Sequence, residues 1–205
     1  AIRRHYGPFG RRPVIILAGR GNNGGDGMVI GRCLHRWGIP VKVYLLSSVE
    51  KITGDARTNL NICLKAGVPL DVVPDWEAFR SRMTEMGSAH LLVDAILGTG
   101  LATEVKGFYR QVVEFLNQRS VPLVAVDMPS GVDASTGRVL GAAVRADLTL
   151  TLALPKVGLL IFPGAEYAGR LEVVDIGFPP ALASETPPFI RLLEDAHLAR
   201  LIRPR

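Results

Sequence analysis

VIILAGRGNNGGDGMVIGRCLHRWGIPVKVYLL, from Val14 to Leu46, is the stretch that decides the fold. Its first five residues, Val14 to Ala18, form a continuous apolar run with β-branched side chains, the pattern of a parallel strand buried on both faces. The nine residues Gly19 to Gly27 include five glycines and read as a loop. Apolar residues then recur at Val29, Ile30, Cys33, Leu34 and Trp37 before Gly38, which predicts an amphipathic helix with a glycine stop. Val41 to Leu46 is a second strand. Strand, glycine loop, helix and strand together make one right-handed βαβ unit.

The alternation runs on down the chain. A helix is expected near Asp55 to Ala66, a weak strand near Leu70 to Val73, and a helix capped by Asp75 and closed at Gly87. His90 to Asp94, Pro122 to Asp127, Leu148 to Leu152 and Leu171 to Asp175 read as strands, with a helix over Phe108 to Arg119. Ala181 to Pro188 is turn-rich and reads as a domain exit, followed by an edge strand at Phe189 to Leu193 and a helix from Asp195 to Ile202. Strands separated by helices predict an α/β fold, a three-layer α/β/α sandwich around a mostly parallel sheet.

Composition agrees with that architecture. Of 205 residues, 48% are hydrophobic and 21% charged, the balance of a globular domain rather than a disordered chain. A chain of this length builds a full core without disulfides or a structural metal. The formal charge is +5, from 24 basic and 19 acidic residues, but the arginines are scattered, so the basic run that marks a nucleic-acid surface is missing. Two cysteines, no apolar run near the roughly 18 residues of a membrane span, and a start (AIRRHYGPFGRR) without an apolar stretch predict a cytoplasmic protein with no membrane contact.

In an open parallel sheet the ligand lies beyond the carboxyl ends of the strands, where strand order reverses. The first such loop carries Gly19, Gly21 and Gly24 in the spacing GxGxxG, a dinucleotide fingerprint that is weak alone. It also carries Asn22, Asn23 and Asp26, and a carboxylate facing a diphosphate repels it unless a cation or hydroxyl lies between. Asp26 has a second reading, as the cap of the helix that follows. Two further strands end in Asp94 and Asp127, so three strand ends bring aspartates to one edge of the sheet, with Asn23 and Ser130. Such an oxygen-only set suits a hard cation. Gly98, Gly100, Gly131 and Gly137 lie in the same loops, as close-approach or turn residues. Lys156 reads either as an anion-binding group from that edge or as a solvated loop lysine. No histidine has metal-ligand spacing, Cys33 and Cys63 read as core, and GxSxG and GxxxxGK[ST] motifs are absent.

Four segments, GRGNNGGDG (Gly19 to Gly27), VDAILGTG (Val93 to Gly100), VDMPSGVD (Val126 to Asp133) and ADLTLTLALPKVG (Ala146 to Gly158), resemble in order and spacing the YjeF N-terminal domain family, the NAD(P)H-hydrate epimerases. The resemblance runs from about Val14 to Gly177. It implies a Rossmann-like fold and interconversion of the R and S epimers of hydrated NADH or NADPH, so that a dehydratase specific for the S epimer can restore the cofactor. By motif it implies that Asn22, Asn23, Gly24, Gly25 and Asp26, with Gly98, Thr99, Gly100, Leu101, Ala102, Thr103 and Glu104, bind the hydrated nucleotide. It further implies that Asn23, Asp94 and Ser130 hold one potassium ion per subunit and that Asp127 contacts the substrate near its reacting ring. Asp127 is the candidate catalytic acid or base: losing the C6 hydroxyl, or opening the ring, makes C6 planar, and return from the other face inverts it.

The family's usual first helix, with its ENAG-like segment, is not visible before Val14. The expectation is therefore one domain over residues 1–205, shortened at its N-terminus. The GTG form of the second loop and the closing LIRPR resemble bifunctional proteins, implying a parent chain that continues into an ADP- or ATP-dependent hydrate dehydratase; a homo-oligomer is compatible with the resemblance. A different class of function, a non-catalytic nucleotide- or RNA-binding scaffold, has no need of NNGGD, Asp94 and Asp127 together. A nicotinamide dehydrogenase needs a proton donor and a ribose-binding acid after the second strand, where Ser47 and Ser48 stand instead.

Overall fold

In the computed structural model, residues 1–177, 179, 190 and 192 are described. The expected turn-rich stretch at 181–188, edge strand at 189–193 and helix at 195–202 lie outside the described residues, Ile190 and Leu192 apart. The chain divides into two compact units, Ala1–Val174 and Asp175–Arg205, and the sheet and the site belong to the first.

The elements run α1 (Ile2–Tyr6), β1 (Val14–Ala18), α2 (Asn22–Arg36), β2 (Val41–Leu45), α3 (Gly54–Lys65), β3 (Leu70–Val72), α4 (Trp76–Arg80), α5 (Met83–Gly87) and β4 (Leu91–Ala95). They continue with α6 (Gly107–Asn117), β5 (Leu123–Val126), β6 (Leu148–Leu152), α7 (Gly164–Ala168) and β7 (Arg170–Val174). All seven strands pair in parallel in the order β3-β2-β1-β4-β5-β6-β7. The chain winds outward from β1 to β3 and returns to the other side of β1, so the reversal falls between β1 and β4. Pairing of Ala18 with Ala95 and of Asp94 with Ala125 sets the ends of β1, β4 and β5 level.

Side chains alternate across the sheet. Val14, Ile16 and Ala18 pack with Met28 and Leu34 of α2 and Leu60 and Cys63 of α3, whereas Ile15 and Leu17 pack with Phe79, Met86, Val112 and Leu116 of α4, α5 and α6. Every residue of β1, β4 and β5 is buried, which is why these central strands read as apolar runs, interrupted only by Asp94 in β4. A smaller cluster of Met128, Val132, Ala143, Leu159 and Ala168 closes the far end. Among the described residues no helix is long and apolar enough to cross a membrane.

Three boundaries differ from the sequence reading. Helix α2 begins at Asn22 rather than near Val29, so the loop after β1 shrinks to Gly19–Gly21 and NNGGDG becomes helical. Glycine lowers helix propensity by about 1 kcal/mol per residue, which disguises this start. Packing explains it: a Cβ at Gly24 would stand 1.9 Å from the Gly19 carbonyl oxygen, one at Gly27 2.6 Å from Ala95 Cβ, and one at Gly31 3.0 Å from Val43 Cγ2. A glycine stripe thus lets α2 lie against the sheet. Asp75 does cap a helix, accepting from Ala78 N–H at 2.9 Å, but the expected single helix is two, α4 and α5. A helix also precedes β1: α1 is held to β7 by Arg4 and His5 on Glu172.

Candidate active site

The loop after β1, the first turns of α2, the loop after β4 and the residue after β5 enclose a cavity of about 580 Å³ at the point where strand order reverses. Asn22, Asn23 and Asp26 line it from α2, Gly98, Thr99, Gly100, Leu101, Ala102 and Thr103 from the β4 loop, and Asp127 from the end of β5. Gly24 and Gly25 are buried behind this wall, where Gly24 meets the backbone of Gly19 and Gly25 that of Ala56 in α3. Glu104 stands outside it, exposed and paired with Lys106 at 3.0 Å. Gly131 and Gly137 pack on Ala142 and Ile161 in the loop between β5 and β6 and do not line the cavity.

Three residues that the sequence reading did not assign also line the cavity, Arg20, Ile96 and Leu97. Arg20 is exposed at its edge. A cation between two glycines of a phosphate-type loop was the available signal for it.

The N-terminus of α2 opens into this space. Its N-cap is Gly21, which brings no side chain, and the first N–H that closes a helical turn is that of Gly25, onto the Gly21 carbonyl at 3.1 Å. The N–H groups of Asn22, Asn23 and Gly24 therefore lack helical partners at the positive end of a fifteen-residue helix, an arrangement that attracts anions. Asp26 is in the second turn of α2 and is not its cap. Its carboxyl is pushed up to about 6 by partial burial and by the negative charge of Asp127, with Lys156 opposing.

Behind the wall, Asp94 is fully buried at the end of β4. Oδ1 accepts from the Ser130 hydroxyl at 2.6 Å and from Ile96 N–H at 3.2 Å, and Oδ2 from Ser130 N–H at 2.8 Å. Burial nonetheless raises its carboxyl to about 6, against the pull of those bonds. Leu97 N–H donates to Ser130 Oγ at 2.8 Å, so Asp94 and Ser130 pin the start of the cavity loop. Beside them Asn23 donates from Nδ2 to the Val126 carbonyl at 2.7 Å, while its Oδ1 is buried without a hydrogen-bond partner. An orphaned buried carbonyl costs about 1–3 kcal/mol. Together with a fully buried carboxyl and a buried hydroxyl, that oxygen fits a hard monovalent or divalent cation, which would satisfy it.

Asp127 adopts φ +67°, one of two non-glycine residues with positive φ among the described residues, the other being Ala153. Its N–H donates to the Leu150 carbonyl at 2.8 Å, and its Oδ1 accepts from Leu152 N–H at 3.1 Å and from Lys156 Nζ. Lys156, half-buried, also donates to Thr151 Oγ1 at 3.1 Å and to the Leu152 carbonyl at 2.7 Å. It is therefore neither a solvated lysine nor a residue of the cavity wall.

A family model described as YjeF-related protein N-terminus matches residues 1–158, which includes α1. The chain is 44% identical over 206 residues to the bifunctional NAD(P)H-hydrate repair enzyme Nnr of Moorella thermoacetica, covering 100% of this chain and 39% of that protein. It is 40% identical over 169 residues to the NAD(P)H-hydrate epimerase of Oenococcus oeni, covering 82% of this chain and 76% of that one. The chain thus spans about two fifths of the first relative and about three quarters of the second. The crystal structure of the yeast protein ynu0 superposes with a TM-score of 0.71 at 23% identity, over 90% of this chain and 77% of that one, a likeness of fold. With a family model matched over most of its length and a relative of similar size at this identity, the chain belongs to the family of the YjeF-related protein N-terminus.

Proposed function

We propose that this chain epimerises hydrated NADH or NADPH at C6 of the tetrahydropyridine ring, as part of nicotinamide cofactor repair. The observation that carries the reading is Asp127: a carboxylate on a strained backbone at the cavity wall, with one oxygen tied down and the other without a hydrogen bond among the described residues. Names of relatives support the same activity, one being an epimerase of similar length.

The N–H groups at the start of α2, with Arg20, suit the diphosphate of the dinucleotide, and the loop 98–103 lines the same cavity. Asn23, Asp94 and Ser130 would hold a potassium ion, which would supply positive charge to offset the carboxylates of this edge. Asp127 is paired with an ammonium, so it acts as a base and the ring-opening route follows. Its free oxygen takes the proton of the C6 hydroxyl as the C6–O pair becomes a carbonyl and the C6–N1 bond breaks with its electrons on nitrogen. The same proton is returned to N1. Rotation about C5–C6 presents the other carbonyl face, and the reverse steps close the ring with C6 inverted. No external oxidant, reductant or second substrate is needed.

The bifunctional relatives support a parent chain in which this domain precedes a dehydratase that consumes the S epimer. The test is a coupled assay: R-enriched hydrate, excess S-specific dehydratase with its phosphate donor, potassium, and NADH recovery with and without the folded chain. Recovery of the R fraction faster than its spontaneous epimerisation is expected. An unchanged rate would remove the assignment.

A further inference from the structure

We propose that Lys156 is a positioning residue for Asp127, fixing which oxygen of that carboxylate faces the substrate; this rests on the reading of Asp127 as the base. Asp127 and Lys156 leave adjacent parallel strands, β5 and β6, at the carboxyl edge of the sheet. Each strand end carries a non-glycine residue in the left-handed region, Asp127 itself at φ +67° and Ala153 at φ +62°, where an L-residue is disfavoured by about 1–2 kcal/mol. At Ala153 the chain reverses off β6, with Leu154 N–H reaching back to the Leu152 carbonyl at 2.8 Å, and Lys156 then folds over onto Asp127. Backbone strain at two sites converging on a single ion pair is characteristic of functional geometry rather than of stability alone.

The ammonium has three donors and all three are used, on Asp127 Oδ1, Thr151 Oγ1 and the Leu152 carbonyl. Leu152 N–H adds a second bond to the same Oδ1. One oxygen is thereby committed to the scaffold, and the other, Oδ2, has no partner among the described residues while Asp127 lines the cavity. Lys156 does not line it, so it does not touch the substrate. An ion pair of this kind contributes little net stability once desolvation is counted. What it provides is orientation, and a positive charge on the side of the carboxylate away from the reacting ring. The other charged groups facing Asp127 are Asp26 from α2 and Arg20 at the cavity edge.

The experiment compares wild type, Lys156→Met, Lys156→Arg and Thr151→Val in the coupled epimerase assay, with kcat, KM and thermal unfolding of each. For Lys156→Met, kcat is expected to fall roughly 10- to 100-fold with KM changed less than about threefold. Lys156→Arg should recover only part of kcat, because a planar guanidinium does not reproduce three tetrahedral donors. Thr151→Val, which keeps the charge and removes one anchor, should lower kcat a few-fold; this variant decides the matter if Lys156→Met does not fold. A kcat within twofold of wild type in Lys156→Met, or in Thr151→Val when that variant alone folds, overturns the proposal. So does a rise in KM at constant kcat, which would put Lys156 on the substrate. A wild-type chain with no epimerase activity removes the functional reading itself and this proposal with it, whereas an active wild type with active variants removes this proposal alone.

Discussion

Asp127 gives one carboxylate oxygen to its own scaffold and leaves the other to the cavity, and that division underlies the chemistry proposed for it. Asp127→Asn keeps the shape but not the basicity, so kcat should fall about 100-fold or more with the melting temperature nearly unchanged; an asparagine enzyme at full rate would contradict the role. Asp26 makes a separate prediction. Its carboxyl holds a proton up to about 6, against an ordinary 3.8, so between those values the folded chain binds more protons than the unfolded one. Stability therefore declines as pH rises through that window, and the decline is complete above about 6. In potassium-free buffer Asp26→Asn should melt higher than wild type at pH 7.5, with the margin closing toward pH 4, while Asp94 leaves a residual slope of the same sign. Equal melting temperatures at pH 7.5 would contradict the assignment. At this scale the sequence was informative where a side chain sits at or directly after the end of a strand, as Asp94 and Asp127 do. It brought Lys156 to the right edge but not onto Asp127, because that contact spans 29 residues and depends on a left-handed turn at Ala153 that no alanine advertises.

Helix α2 carries both the packing and the ligand end of the site. Its glycine face admits no side chain: Gly24→Ala would drive a methyl onto the Gly19 carbonyl, 1.9 Å away, and should destabilise the chain by about 1–3 kcal/mol in a denaturant titration, with loss of the cavity's shape. Gly21 is different, since a Cβ there meets nothing within 4 Å and φ is −96°. Gly21→Asp should cap the helix, holding or slightly raising the melting temperature, yet weaken substrate binding about tenfold or more in KM, because the new carboxylate takes the N–H groups meant for a diphosphate. A KM unchanged in Gly21→Asp would place the diphosphate elsewhere. The strands were legible to within a residue or two because burial on both faces makes them almost wholly apolar, Asp94 in β4 being the exception within the three central strands. The start of α2 was not, because tertiary contact with β1 and β4 holds helical a segment whose intrinsic propensity is poor.

For the whole molecule, the winding of the chain puts three strand ends level at one edge, and every proposed role is located there. The orphaned Asn23 oxygen and the buried Asp94 carboxyl predict that a bound cation stabilises the entire unit by linkage. Replacing choline chloride by potassium chloride at constant ionic strength should raise the melting temperature of wild type by a few degrees. Asn23→Ala should melt lower and respond no more to potassium than to choline; an equal response would move the cation off these residues. The central claim is inversion at C6, and its most direct measurement needs no partner enzyme: pure R epimer is mixed with the folded chain in potassium buffer and the R to S ratio is followed by chromatography. The account predicts approach to the equilibrium mixture faster than in buffer alone, with Asp127→Asn close to the buffer rate. An R to S ratio that relaxes no faster with folded wild-type chain than without it would contradict the account.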